Sequence, residues 1–392
     1  MGSAFPRRND LATLRARPPP MKAFECVCGQ PLFFHNTRCL SCGRDLGYDP
    51  DRRTLGPVED DGAGSLTLLR DDRSPKRAFR FCEHRLDAAK CNWLVAADSA
   101  NTACLSCRLT RTIPDLSRPR NAQRLGEIET AKRRVLFGLM SFGLPVVPAA
   151  EDPANGLVFD FLEPVDAPIM TGHVNGLITI NVAEADADYR ERHREQMHEP
   201  YRTLIGHLRH ELGHYYWTRL VENTHWQEKF RALFGDERVD YEAALQNHYA
   251  NGPAPDWADR CVSSYASSHP WEDWAETFAH YLHLRTTLQT IGSYNLDISR
   301  VRLPLTLYER DVLYEQQPVD EGDAFLGWIN AWLVLTAVLN ETARSMGQPD
   351  LYPFVLNRMV VTKLHFVQCV IREHERKPVT APPPALVVPA AA

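Results

Sequence analysis

The sequence has little of what would send a chain into or across a membrane. Residues 1 to 20 are rich in Arg and Pro and lack the apolar core of a secretory signal, so they read as a disordered leader, with Met21 an alternative start. The most apolar later run, Phe325 to Leu339, is interrupted by Asn330 and falls short of the roughly 20 residues a span needs. Positive charge is not in excess either. With 44 Lys and Arg against 50 Asp and Glu, the net charge of -6 gives nucleic acid no electrostatic reason to be the main partner, although local basic patches such as Lys132-Arg133-Arg134 exist. Beyond position 107 cysteine is nearly missing. Cys261 and Cys369 stand alone there and read as ordinary buried thiols. The expectation from these absences is a cytoplasmic protein with no membrane partner. Its hydrophobic content of 44% and charged content of 24% are ordinary for a globular chain of two or three domains.

What cysteine there is lies mostly at the other end, in two groups of four. Cys26-x-Cys28 and Cys39-x-x-Cys42 form the first, each pair followed by a glycine, Gly29 and Gly43, that lets the backbone turn tightly beneath a metal. This reads as a zinc ribbon whose first pair is CxC where CxxC is commoner. Cys82, Cys91, Cys104 and Cys107 form the second, with looser spacing before a clear CxxC; His84 could stand in for one of them. A disulfide framework is the competing reading. Without an export signal, a reducing compartment favours metal. Two structural zinc ions would hold together a segment too small to bury a large core, and whether that segment also binds a protein partner is open.

The stretch His210-Glu211-Leu212-Gly213-His214 has the HExxH pattern. Four residues advance a helix by just over one turn, so both histidines project from one face and can share a tetrahedral metal. Glu211 falls beside that metal, where it can take a proton from water. Leu204, Leu208, Leu212 and Tyr216 make the apolar stripe of the same helix, which is expected to start at Glu199-Pro200, while His207 reads as support or surface. Ahead of it, Leu177 to Val182 reads as a strand with Ile178, Ile180 and Val182 inward. Such a strand can wall a cleft and pair with an extended peptide.

Two histidines leave zinc one protein ligand short. A third histidine at 220 with glycine at 217 would give the metzincin pattern, but those positions are Leu220 and Trp217. Downstream, Glu272 and Glu276 share a helical face, so one can bind metal while the other holds a histidine by its second nitrogen. Asp273, His280 and His283 are further candidates on the same helix.

These residues resemble the gluzincin peptidases, and Glu272-x-x-Ala275-Glu276 is similar to the ExxAE segment of their lethal-factor-like branch. The resemblance implies that Glu272 is the third ligand and that Glu276 supports it. It also implies that Tyr265, seven residues before the ligand, faces substrate and donates to the developing oxyanion; its bland alternative is a core aromatic. With its cysteine-rich start, the chain is similar to the bacterial zinc-binding metallopeptidases that join an N-terminal zinc ribbon to such a domain.

The expected fold is therefore α+β: N-terminal zinc-ribbon modules and a mainly helical, zincin-like metallopeptidase domain with a small sheet. The expected division is a leader at 1–20, a double zinc-ribbon-like module at 21–117, the peptidase domain at 118–376 and a Pro- and Ala-rich disordered tail at 377–392. Asp51 to Lys76 reads as a charged connection with one short strand at Ser65 to Leu69. A helix is expected after Pro119 through Leu139, and two long buried helices at Leu326 to Thr342 and Tyr352 to Arg372. The expected activity is hydrolysis of peptide bonds by Glu211-assisted attack of zinc-bound water, with one catalytic and two structural zinc ions. Two alternatives compete: a zinc-ribbon module that binds protein or nucleic acid beside an inactive peptidase-like domain, and a hydrolase of some other amide.

Overall fold

The computed structural model describes residues 23–69, 77–165, 169–197, 199–315 and 318–376. The expected leader and tail lie outside the described residues. The N-terminal region is built from short strands: β1 (Phe24–Glu25), β2 (Pro31–Leu32), β3 (Leu46–Asp49), β4 (Thr54–Asp60), β5 (Leu66–Leu68), β6 (Phe79–Phe81) and β7 (Leu94–Ala96). β1 and β2 form a small hairpin, and β3 to β7 form an antiparallel sheet in chain order. The Tyr48 N–H donates to the Asn92 carbonyl at 2.7 Å, so the first strand of that sheet closes back towards its last. The segment expected to be a connection thus contributes β4 as well as the short strand. Gly56 and Pro57 argue against a strand there, and the first five residues of β4 are all buried, so no alternation marks it.

After helix α1 (Leu105–Arg108) the chain enters a second sheet through β8 (Thr110–Thr112) and then the long helix α2 (Asn121–Ser141). β9 (Val158–Leu162) and β11 (Leu177–Asn181) run parallel to β8, and β10 (Gly172–Val174) pairs antiparallel with β11. Ile178, Ile180 and Val182 are fully buried, as the alternation requires. The order β10-β11-β9-β8 corrects one expectation: β11 has a neighbour on both sides, so β10 is the edge strand on that side. A turn at Asn175 and Gly176, both at positive φ, makes the tight β10–β11 hairpin.

The remaining helices are α3 (Ala187–Gln196), α4 (Leu204–Leu220), α5 (Trp226–Phe234), α6 (Tyr241–Asn251), α7 (Trp257–Arg260), α8 (Pro270–Ser293), α9 (Val319–Ser345) and α10 (Arg358–Arg376). α4 starts later than Glu199-Pro200 because Thr203 is extended and its Oγ1 accepts the Gly206 N–H at 3.0 Å. α8 starts with His269 as its cap and Pro270 in the first turn, where a missing N–H costs nothing. α9 is long and apolar enough to cross a membrane by length and composition, and half of its apolar window is buried inside the protein. Its Trp328 packs on Tyr281 of α8 and donates to Gln368 of α10 at 2.9 Å, the behaviour of a core helix.

α4 and α8 cross closely, and small residues permit it. A Cβ on Gly213 would lie 2.8 Å from the Ala275 Cα and 3.0 Å from its carbonyl oxygen. Trp274, fully buried, donates its Nε1–H to the Gly213 carbonyl at 2.9 Å. The Gly of HELGH and the Ala of ExxAE thus sit opposite each other. Their small size sets the distance between the two helices that carry the site.

Candidate metal centre and active site

That crossing brings His210 and His214 of α4 against Glu272 in the first turn of α8. His210 Nε2 lies 3.2 Å from His214 Nε2 and 3.0 Å from Glu272 Oε2, and His214 Nε2 lies 3.4 Å from Glu272 Oε1. Zinc bonds of about 2.0–2.1 Å in tetrahedral geometry put ligand atoms about 3.3 Å apart, so the spacing fits that ion. The donor chemistry fits as well. Glu272 Oε2 is buried and accepts no hydrogen bond, and two imidazole nitrogens face each other where at most one proton fits between them.

The surrounding groups orient these three. His210 Nδ1 is bonded to Glu276 Oε1 at 2.8 Å, which turns Nε2 towards the cluster, and Ser263 donates to Glu276 Oε2 at 2.7 Å. Tyr241 of α6 donates to Glu272 Oε1 at 2.6 Å. Burial alone would disfavour charge here, but the facing groups outweigh it. In the metal-free protein Glu272 and Glu276 hold the His210 imidazole well above its ordinary pKa, and the histidines hold Glu272 well below the carboxylate range.

Glu211 differs from both other glutamates. It is 7% exposed, yet its carboxylate makes no hydrogen bond or ion pair among the described residues. Tyr265, in a short helical turn just before α8, has its ring centroid 6.0 Å from that of His210. Burial, then the charge of Glu272, holds its phenol well above the ordinary value, so it keeps its proton at neutral pH. β10 passes beside α4, with His173 edge-on to Tyr215 at 6.1 Å; Val174 and Met170 next to it are exposed.

The competing candidates are engaged elsewhere. Asp273 pairs with Lys363, His280 bonds the Tyr352 hydroxyl at 2.6 Å, His283 faces Arg209, and His207 lies 3.3 Å from Glu184. Tyr241 and Ser263 are the two site residues that sequence reasoning missed. They sit 31 and 13 positions from the carboxylates they serve, and no local pattern marks them.

Both cysteine quartets also converge, each with sulfurs within 4.8 Å of one another. Cys26 and Cys42 lie 3.5 Å apart, Cys28 and Cys39 3.7 Å, and Cys91 and Cys104 3.6 Å. Zinc–thiolate bonds of about 2.3 Å require about 3.8 Å between sulfurs, and none of these cysteines is in a disulfide. Gly29 and Gly43 take positive φ, the turn each knuckle needs. Backbone N–H donation from Arg44 brings the Cys42 thiol down to about 6, the thiolate form a metal takes. In the second quartet the Cys104 N–H points at Cys82 Sγ from 3.3 Å. His84 does not join it: its Nδ1 bonds Asp87 at 2.6 Å.

Residues 121–370 match the family described as "Putative zinc-binding metallo-peptidase", and residues 23–118 match a zinc-ribbon domain. The chain belongs to that metallopeptidase family. Uncharacterized proteins of Mycobacterium tuberculosis and Mycobacterium bovis are each 41% identical to it over 355 residues, covering 90% of this chain and 96% of theirs. No solved structure matches significantly. The family's description and the two cysteine quartets agree in making this metallopeptidase-family member a zinc-binding protein.

Proposed function

We propose that the protein is a zinc-dependent peptidase with one catalytic ion held by His210, His214 and Glu272 and two structural ions held by the cysteine quartets. The observation that carries the reading is the convergence of three facing donor groups at zinc spacing beside a carboxylate, Glu211, that has no protein partner among the described residues. Zinc bound there would act as a Lewis acid, polarising the scissile carbonyl and lowering the pKa of water from 15.7 towards about 7.

The chain's own groups would do the rest. Glu211 accepts the proton of the attacking water and returns it to the leaving amine. The Tyr265 hydroxyl donates to the oxyanion as charge develops there. Glu276, itself held by Ser263, keeps the His210 ring in register, and Tyr241 does the same for Glu272. The exposed edge of β10 offers main-chain hydrogen bonds to an extended peptide, a mode that reads backbone more than side chain. Metal-spaced thiols suit a reducing compartment, and we place the protein in the cytoplasm on that ground.

Elemental analysis combined with a peptide-library cleavage assay, on the natural protein and on Glu211→Gln, tests this. The expected result is three zinc ions per chain in both, with cleavage only in the natural protein. A fully loaded natural protein that cleaves nothing would leave the ribbon region as the functional part, binding a protein partner. Cleavage retained in Glu211→Gln would remove the role given to Glu211.

A further inference from the structure

A large cavity, about 1330 Å³, lies away from the metal cluster. It opens between the β1–β2 hairpin, α2, the start of α4 and the second half of α8, and Arg209, one residue before the first histidine, lines it. Phe24 and Phe34 give it an aromatic wall, with Phe33 exposed at the mouth. Among the described residues the charges around it are one-sided: Lys90, Arg134, Arg190 and Arg209 line it, against the single carboxylate of Glu127, which is exposed at the rim.

Arg209 is the group that decides what the cavity is for. The residue is 6% exposed and has no ion pair among the described residues. Its Nη1 is spent on His283 Nδ1 at 2.6 Å and its Nη2 on Thr286 Oγ1 at 2.9 Å, both neutral partners, while its buried Nε has none. Burial works against its charge, the Tyr201 phenol works for it, and Arg134, of the same sign, works against it. Arg134 has no ion pair among the described residues either; it stands over the Phe34 ring at 5.7 Å. A guanidinium removed from water without a counter-ion is costly. α4 adds to the imbalance by turning its N-terminus, at Thr203 and Leu204, to the same space.

We propose that this cavity is a binding site for an organic anion, with a carboxylate or phosphate head against Arg209 and Arg134 and an apolar body against Phe24 and Phe34. The volume argues for an organic body, since it exceeds what drug-sized ligands usually fill and a bare inorganic anion would leave most of it empty. The occupant would bridge α4 and α8, the helices that carry the metal cluster, without touching the cluster.

The test is thermal unfolding of the full-length, zinc-loaded protein with N-acetyl-phenylalanine, with its uncharged amide, and with phenyl phosphate. At about ten times the Kd, a charged probe is expected to raise Tm by about 2 °C and the amide not to; whichever acid gives the larger shift names the head group. Arg209→Met should abolish the shift, since it removes the cation while keeping a side chain of similar length. Arg134→Gln, on α2 and outside the metal cluster, should weaken the shift several-fold and serves if Arg209→Met does not fold. Equal shifts from acid and amide, no shift from either acid, or a shift unchanged in Arg134→Gln would each overturn the proposal.

Discussion

The cysteine quartets and the His210–His214–Glu272 cluster both gather metal-spaced donors, but they are assembled in opposite ways. The first quartet draws its thiols from turns beside short strands, and the second takes Cys104 from the cap of the short helix α1 and Cys107 from within it; in each, four thiols can fill every tetrahedral position and none is left for chemistry. The helix cluster draws three donors from two long helices whose separation is set by Gly213 against Ala275, so a tetrahedral metal held there would keep one position without a protein atom of the cluster. A metal enclosed by four thiols can serve only the fold, whereas one held by three donors could also serve a reaction.

The largest expected effect follows from that contrast. Cys104→Ser removes a fully buried sulfur from the second quartet. Structural zinc is worth roughly 10–16 kcal/mol to small zinc modules, so the N-terminal region should lose its fold outright. His214→Ala should lose one zinc and all turnover yet keep its helices, which far-ultraviolet circular dichroism and limited proteolysis would show. If both variants unfold to the same extent, the helix site is structural too and the contrast fails.

Glu211→Gln comes next, and it acts on rate alone. Loss of a general base costs about 10²–10⁴ in kcat, roughly 3–5 kcal/mol of barrier, with zinc content and Tm near those of the natural protein. Gly213→Ala tests the scaffold side. Helix propensity favours the change by about 1 kcal/mol, but the new methyl meets backbone at 2.8 Å, so α4 and α8 must separate. The net result should be about 2–3 kcal/mol of lost stability in a urea titration, together with weaker zinc retention against a chelator. A stabilised Gly213→Ala would mean the crossing is not close.

How far these two regions could be read from sequence also differs. That His210 and His214 would meet was legible because i, i+4 spacing is local, while the choice of Glu272 over Glu276 rested on the resemblance to ExxAE; both quartets were legible as cysteine spacing. Of the sheet between the quartets only the short strand β5 was legible, since β4 carries Gly56 and Pro57; in the second sheet, β10 has three residues, too few to show a period of two. Tyr241 and Ser263 were illegible for a different reason: they reach Glu272 and Glu276 through tertiary packing, and nothing in their own neighbourhoods says so. The cavity cations were hidden in the same way, since Arg134 and Arg209 meet only when α2 packs on α4.

The smallest effect concerns an acid outside both kinds of cluster. Glu184 is 3% exposed, with Arg202 donating to Oε1 at 2.8 Å and His207 3.3 Å from Oε2. Burial works to raise its pKa, but those two partners outweigh burial and bring it down to about 2. Because the folded value is depressed, Glu184 contributes its full stabilisation above the ordinary carboxylate range and loses it as pH falls from about 4.5 through 2. Glu184→Gln keeps an acceptor for Arg202 and should cost about 1–2 kcal/mol at about pH 6, with the gap to the natural protein narrowing below about pH 4.5. Zinc ligands protonate at higher pH than this, so metal release and the Glu184 step should separate along one acid titration followed by zinc dye and by fluorescence. A gap that stays constant from about pH 6 to about pH 3 would show that Glu184 stabilises α4 by packing and not by charge.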